Sequence, residues 1–135
     1  MKLNPTAPFP GAVFLNPEED QRLPYSLAVR AGNLLFVSGQ ASVDKHGTIV
    51  PGTFEEEFHR SFENLKTILE AAGSGMDKVV KVTSYVRKFE DVALYNQLYR
   101  ELFSFPFPAR TTIGGCLPEI LHFEVDCVAL IPEGK

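Results

Sequence analysis

Residues 120–131, ILHFEVDCVALI, constrain the fold most strongly. Leu121, Phe123, Val125, Cys127, Ala129 and Ile131 fall on one face at period two. His122, Glu124 and Asp126 line the other, which turns apolar at Val128 and Leu130. Such a strand buries one face and presents a polar stretch on the other, so another layer must cover its apolar side.

Two amphipathic helices can supply that layer. In TFEEEFHRSFENLKTILEAAG (53–73), Phe54, Phe58, Phe62, Leu65 and Leu69 recur every three or four residues, and Gly73 ends the pattern. Thr53 and Glu56 have capping-box spacing, and Glu55 to Glu57 place negative charge at the positive end of the helix. The phenylalanine stripe is a core face, with His59 off it on the surface. EDVALYNQLYRELF (90–103) repeats the helical spacing through Val92, Tyr95, Tyr99 and Leu102, with Asn96 on another face.

The remaining segments read as strands. YSLAVRAGNLLFVSGQ (25–40) is a hairpin turning at Ala31-Gly32-Asn33, and VDKHGTIV (43–50) a turn at His46-Gly47 with a short third strand. In KVVKVTSYVRKF (78–89), Val80, Val82 and Val86 alternate with Val79, Lys81, Thr83 and Tyr85. ARTTI follows the prolines that end at Pro108. The order β-β-β-α-β-α-β-β predicts an α+β domain in which two helices cover one face of a mixed six-stranded sheet, because each helix has one apolar stripe. The opposite face, carrying Val79, Tyr85 and Leu130, is left uncovered, which predicts a homo-oligomer.

Composition narrows the function. The 135 residues, 44% hydrophobic and 22% charged, suit a single domain spanning 1–135 with a loose segment at 1–20. A net charge of −4 gives no electrostatic reason to bind nucleic acid. Cys116 and Cys127 are too few for a disulfide framework, have no C-x-x-C spacing, and read as small apolar residues. The first twenty residues, with prolines and the acidic cluster Glu18, Glu19 and Asp20, have no signal-peptide pattern, and no apolar run reaches the ~20 residues that span a bilayer. The expected location is cytoplasmic, with no membrane partner. His122, Glu124 and Asp126 share a strand face, but successive ligands ~6.5 Å apart are wide for a compact metal site. No metal is expected.

Several ordered blocks carry a resemblance: PYS (24–26), GNLLFVSGQ (32–40), SFENLKTILEAAG (61–73), VVKVTSYV (79–86), YNQLY (95–99), FPARTT (107–112), and LP with FEVDCVAL (117–130). From Tyr25 to Ile131 the chain resembles the reactive intermediate deaminase (Rid) family, also called YjgF or endoribonuclease L-PSP. That resemblance implies a chorismate-mutase-like fold and a homotrimer with active sites at the subunit interfaces. It also implies cofactor-free hydrolysis of enamines and imines, such as 2-aminoacrylate and 2-iminopropionate, to a 2-keto acid and ammonia. It makes Arg110 the clamp for the substrate carboxylate and Glu124 the group that positions and polarises the attacking water. Thr112, often cysteine in the family, matches a position whose backbone N–H supports the same carboxylate. Tyr25, Ser38, Gly39 and Asn96 match pocket residues.

The chemistry of these residue types agrees. A guanidinium is a permanently charged planar fork that donates two parallel hydrogen bonds to a carboxylate, and a carboxylate can take a proton from water as it adds to an imine carbon. The loops from Asn96 to Pro108 and from Arg110 to Leu117 are shorter than in archetypal deaminases, and Gly114-Gly115 replaces bulkier residues, so the substrate can differ. A non-catalytic carboxylate-binding regulator would need the arginine without the glutamate. A ribonuclease on single-stranded RNA, the older family description, would call for a basic aromatic groove that the chain lacks.

Overall fold

The computed structural model describes residues 1–18 and 23–133. Among these residues, β1 (Leu3–Thr6), β2 (Ala12–Pro17), β3 (Ala28–Ala31), β4 (Leu34–Ala41), β5 (Val79–Val86), β6 (Ala109–Gly114) and β7 (Phe123–Leu130) form one sheet in the order β1-β2-β3-β4-β7-β5-β6. Only β5 and β6 run parallel, so the sheet is mixed. The two α-helices are α1 (Phe54–Ala71) and α2 (Val92–Leu102). None is long and apolar enough to cross a membrane.

The sheet has seven strands rather than the expected six. Residues 43–50 make only the isolated bridge Val43↔Ile49, while two strands form in the segment expected to be loose. Leu15 on β2 packs against the core opposite Ala28, which gives this proline-rich segment its anchor. Of the acidic cluster, Glu19 and Asp20 lie outside the described residues.

β7 sits between β4 and β5, and its alternation is as the sequence indicates. Phe123, Val125, Cys127 and Ala129 are buried, whereas Glu124, Asp126 and Val128 are half-buried on the other side. The Phe123 ring lies 5.6, 5.4, 5.8 and 5.3 Å, centroid to centroid, from Phe54, Phe58, Phe62 and Tyr95. One aromatic cluster thus joins both helices to the central strand.

Alternation in β5 starts one residue off from the expected pattern. The register shifts between Val79 and Lys81, so Val79 turns into the core and Val80 out of it. Both cysteines are free; Cys127 is core, but Cys116 is only half-buried.

Thr53 caps α1 through a complete capping box with Glu56. Further along, α1 carries polar side chains that brace the loops. Glu57 is fully buried. It accepts hydrogen bonds from the His122 backbone N–H (2.8 Å) and the Gly52 N–H (3.4 Å), and pairs with His122 Nδ1 (2.5 Å). Asn64 Nδ2 donates to the carbonyls of Ala41 and Val43. His122 therefore does not share a face with Glu124 and Asp126, because it precedes β7 and turns to α1.

Truncating Phe123 removes the ring that joins these layers. Phe123→Ala is expected to lower stability by about 3–5 kcal/mol and Thr53→Ala by about 1 kcal/mol. Urea unfolding at fixed protein concentration checks both.

Candidate active site

β6 is an edge strand, and its first residues carry the arginine. Arg110 pairs in register with Val82 and Thr112 with Ser84, and Val82 and Ser84 are buried against the helices. The guanidinium carbon of Arg110 lies 4.7 Å from the ring centroids of both Tyr95 and Tyr99, and Nη2 donates to Asn96 Oδ1 at 2.6 Å. One turn of α2 thus seats the arginine through two π-faces and a carboxamide.

The seat is itself fixed. Tyr95 is buried, and its hydroxyl is hydrogen-bonded with Ser84 Oγ. Burial raises both phenol pKa values, so the rings stay neutral; the Arg110 charge partly opposes the rise. The hydroxyls of Tyr99 and Thr112 are buried without a hydrogen-bond partner among the described residues. Sequence reading placed Tyr95 and Tyr99 in the apolar stripe, where they do belong, and missed their second role beneath the guanidinium.

Glu124 belongs to a different surface. It pairs with Tyr85 on one side and Ala41 on the other, and it alternates with the buried Phe123 and Val125. It therefore projects from the sheet face that the helices leave open. Burial pushes its carboxyl pKa above the usual 4.5, and the neighbouring Asp126 charge pushes it further. Asp126 accepts a 3.0 Å hydrogen bond from the Tyr85 hydroxyl.

Ser38 and Gly39 occupy the register shift between Val37 and Gln40, a bulge facing β7. A Cβ on Gly39 would lie 2.6 Å from Glu124 Oε1, so the absence of a side chain there lets the carboxylate lie against the backbone. Ser38 Oγ donates to the Ser26 carbonyl at 2.6 Å, tying this bulge to the segment that carries Tyr25. Tyr25 itself is exposed.

The predicted residues thus form two groups. Arg110, Asn96 and Thr112 meet on the helix-covered side of the sheet, while Glu124 and Gly39 meet on its open face, with the Ser38 bulge and Tyr25 segment adjoining. Arg110 and Glu124 are two strands apart and on opposite faces, so one copy of the chain does not bring them together. Sequence reasoning also missed Glu57, whose hold on His122 fixes the entry to β7 two residues before Glu124. Its partner lies 65 residues away, and only its place at the helix start was legible. Among the described residues, no three His, Cys, Asp or Glu side chains cluster as a metal site.

Comparison with known proteins gives a consistent result. The family model described as endoribonuclease L-PSP matches residues 18–131. The chain is 42% identical over 110 residues to the mitochondrial protein mmf2 of Schizosaccharomyces pombe, covering 78% of this chain and 86% of that one. It is 37% identical over 110 residues to the 2-iminobutanoate/2-iminopropanoate deaminase of Dermatophagoides farinae, covering 80% and 86%. Among solved structures, yeast Mmf1 superposes with a TM-score of 0.76 at 30% identity, covering 83% of this chain and 90% of that one. RidA from an Antarctic Psychrobacter gives 0.74 at 31%, covering 83% and 92%.

Three outcomes test this geometry. The Glu124 carboxyl, followed by carbon-detected NMR, is expected to titrate above the usual glutamate value. Asp126→Asn should lower that midpoint without restoring it fully, since burial persists. Gly39→Ala should fold yet displace the Glu124 carboxylate, moving the same resonance.

Proposed function

The chain belongs to the endoribonuclease L-PSP (Rid/YjgF) family, and from that premise we propose that it is a cofactor-free hydrolytic deaminase of small 2-imino and 2-enamino acids. The observation that carries this reading is the seating of Arg110 by Asn96, Tyr95 and Tyr99. A cation held at an edge strand by neutral groups keeps its charge for a ligand, and its planar fork matches a carboxylate. The relative from Dermatophagoides farinae, named for imine deamination, supports the same substrate class.

In the proposed reaction, Arg110 binds the substrate carboxylate and so places the imine carbon beside a water held by Glu124. As the water oxygen bonds to C2, Glu124 accepts a water proton and passes it to the nitrogen of the former C=N bond, giving a carbinolamine. Glu124 then relays the carbinolamine hydroxyl proton to the nitrogen as the C–N bond breaks, releasing ammonia and the 2-keto acid and leaving the carboxylate ionised. An enamine enters after tautomerising to the imine. A raised carboxyl pKa strengthens Glu124 as a base.

Because Arg110 and Glu124 lie on opposite faces, the working site needs groups from two copies. The edge strand β6 of one copy would bring its arginine to the open face of the next. Phe36, Val80 and Leu130 are exposed on the chain alone and give that face apolar surface to bury. A homotrimer with three such interface sites is the proposed assembly, acting in the cytoplasm on small imino acids without nucleic acid or membrane partners.

Generating 2-iminopropanoate with an amino acid oxidase and scoring keto acid release against the spontaneous rate tests the activity. Arg110→Ala should lower kcat/KM at least about 100-fold, and Arg110→Lys should restore charge but only part of the rate. The base works only when ionised, so kcat/KM should fall as pH drops through the raised Glu124 pKa, and Glu124→Gln should abolish that limb. No acceleration of any short imino acid by the wild type would reject the enzyme reading. RNA cleavage that survives in Arg110→Ala would have its origin outside this cleft.

A further inference from the structure

The Glu124 carboxylate leans to one side of its strand. A Cβ on Gly39 of β4 would meet Glu124 Oε1 at 2.6 Å, so the carboxylate lies against bare backbone on that flank. On the other flank, Tyr85 of β5 stands opposite Glu124 and Thr83 opposite Asp126, yet the Tyr85 hydroxyl donates to Asp126 Oδ2 at 3.0 Å. The phenol therefore leans diagonally, from the register position of Glu124 towards that of Asp126. Glu124 lies between a glycine and an aromatic side chain, with a second carboxylate tethered on the same face.

Asp126 is two residues from Glu124, a separation of about 6.6 Å along a strand, and both are half-buried, so the two carboxylates repel. Repulsion along β7 and the phenol on the β5 flank leave the Gly39 side as the open direction. Burial raises the Tyr85 pKa, as do its hydrogen bond to Asp126, the charges of Asp126 and Glu124, and Cys116, so the phenol stays protonated and remains a donor. Other elements bring little charge to Glu124. β4 contributes Gly39 and Ala41, which do not ionise, and His122 turns to Glu57. Lys81 stands opposite Val128, beyond Asp126, and donates to Thr111 Oγ1 at 2.8 Å, while Tyr25 on the adjoining segment is exposed. In the proposed assembly, Arg110 of a second copy completes the set.

We propose that Tyr85 is a positioning residue for the base: by holding the Asp126 carboxylate in place it fixes the negative charge that Glu124 avoids, and so keeps Glu124 turned to Gly39. Tyr85 acts through Asp126 and not on the reacting atoms. Without its donor, Asp126 carries a less compensated charge and can swing towards Glu124 to share a proton with it, as paired carboxylates do. Either change makes Glu124 harder to ionise. The inference deepens the deaminase proposal and rests on it for the role of Glu124.

The pH profile of kcat/KM for 2-iminopropanoate reads the effect, because lost packing alone would lower the profile without moving it. Tyr85→Phe keeps the ring and removes one oxygen, and circular dichroism verifies its fold. Its acid limb should move to higher pH, so that below the wild-type midpoint kcat/KM, relative to its own plateau, falls about threefold. In Asp126→Asn, whose limb moves to lower pH, adding Tyr85→Phe should move it no further. An unmoved or lowered limb in Tyr85→Phe overturns the proposal. So does an equal upward shift in the Asp126→Asn background, which would mean that Tyr85 acts on Glu124 directly. If the wild type accelerates no short imino acid, the deaminase reading fails separately, and the Glu124 carboxyl followed by carbon-detected NMR carries the test. A midpoint raised by Tyr85→Phe only when Asp126 is present sustains the positioning role; an unchanged midpoint overturns it.

Discussion

Side chains on adjacent positions of a strand point to opposite faces of a sheet, and this alternation governs where chemistry can occur in this protein. Phe123 and Val125 must face the helices to bury their apolar surface, which fixes Glu124 on the open side. Arg110 shares its register with Val82 and so joins the helix-covered side. A slip of one residue in β7 would bury a carboxylate among phenylalanines and expose Val125, and a slip in β6 would turn Arg110 to the open face. The separation of the two candidate site groups is thus enforced by the same packing that holds the domain together.

That packing also positions each group locally. The aromatic cluster that seals Phe123 includes Tyr95, whose ring lies under the Arg110 guanidinium. Glu57, on the same helix as the phenylalanine stripe, holds the backbone at His122 and so sets the start of β7. Core and site share residues here. Substitutions in the cluster should consequently affect both stability and the proposed substrate binding, whereas Asn96 and Gly39 bear mainly on the candidate site.

Much of this was legible in the sequence where one physical signal dominated. The capping box at Thr53, the phenylalanine stripe and the alternation of residues 123–129 each have an apolar or hydrogen-bonding pattern that tertiary structure had no reason to override. The strands β1 and β2 were not legible, because LNPT and AVFLNP contain prolines and gain order only through pairing at the β3 edge. The face of Arg110 was equally hidden, since ARTTI has too little apolar contrast to show which residues point inward. Parallel pairing with β5 decides that. The roles of Tyr95 and Glu57 depended on contacts across the fold that no local spacing reveals.

The central claim is that Arg110 of one copy works with Glu124 of another. Refolding a 1:1 mixture of Arg110→Ala and Glu124→Gln chains tests it most directly, because each variant alone has no complete site. In a ring with sites between neighbours, random assembly makes about a quarter of the sites carry both native groups. The mixture is therefore predicted to recover about a quarter of wild-type imine hydrolysis. A mixture no more active than the separate variants would contradict the account.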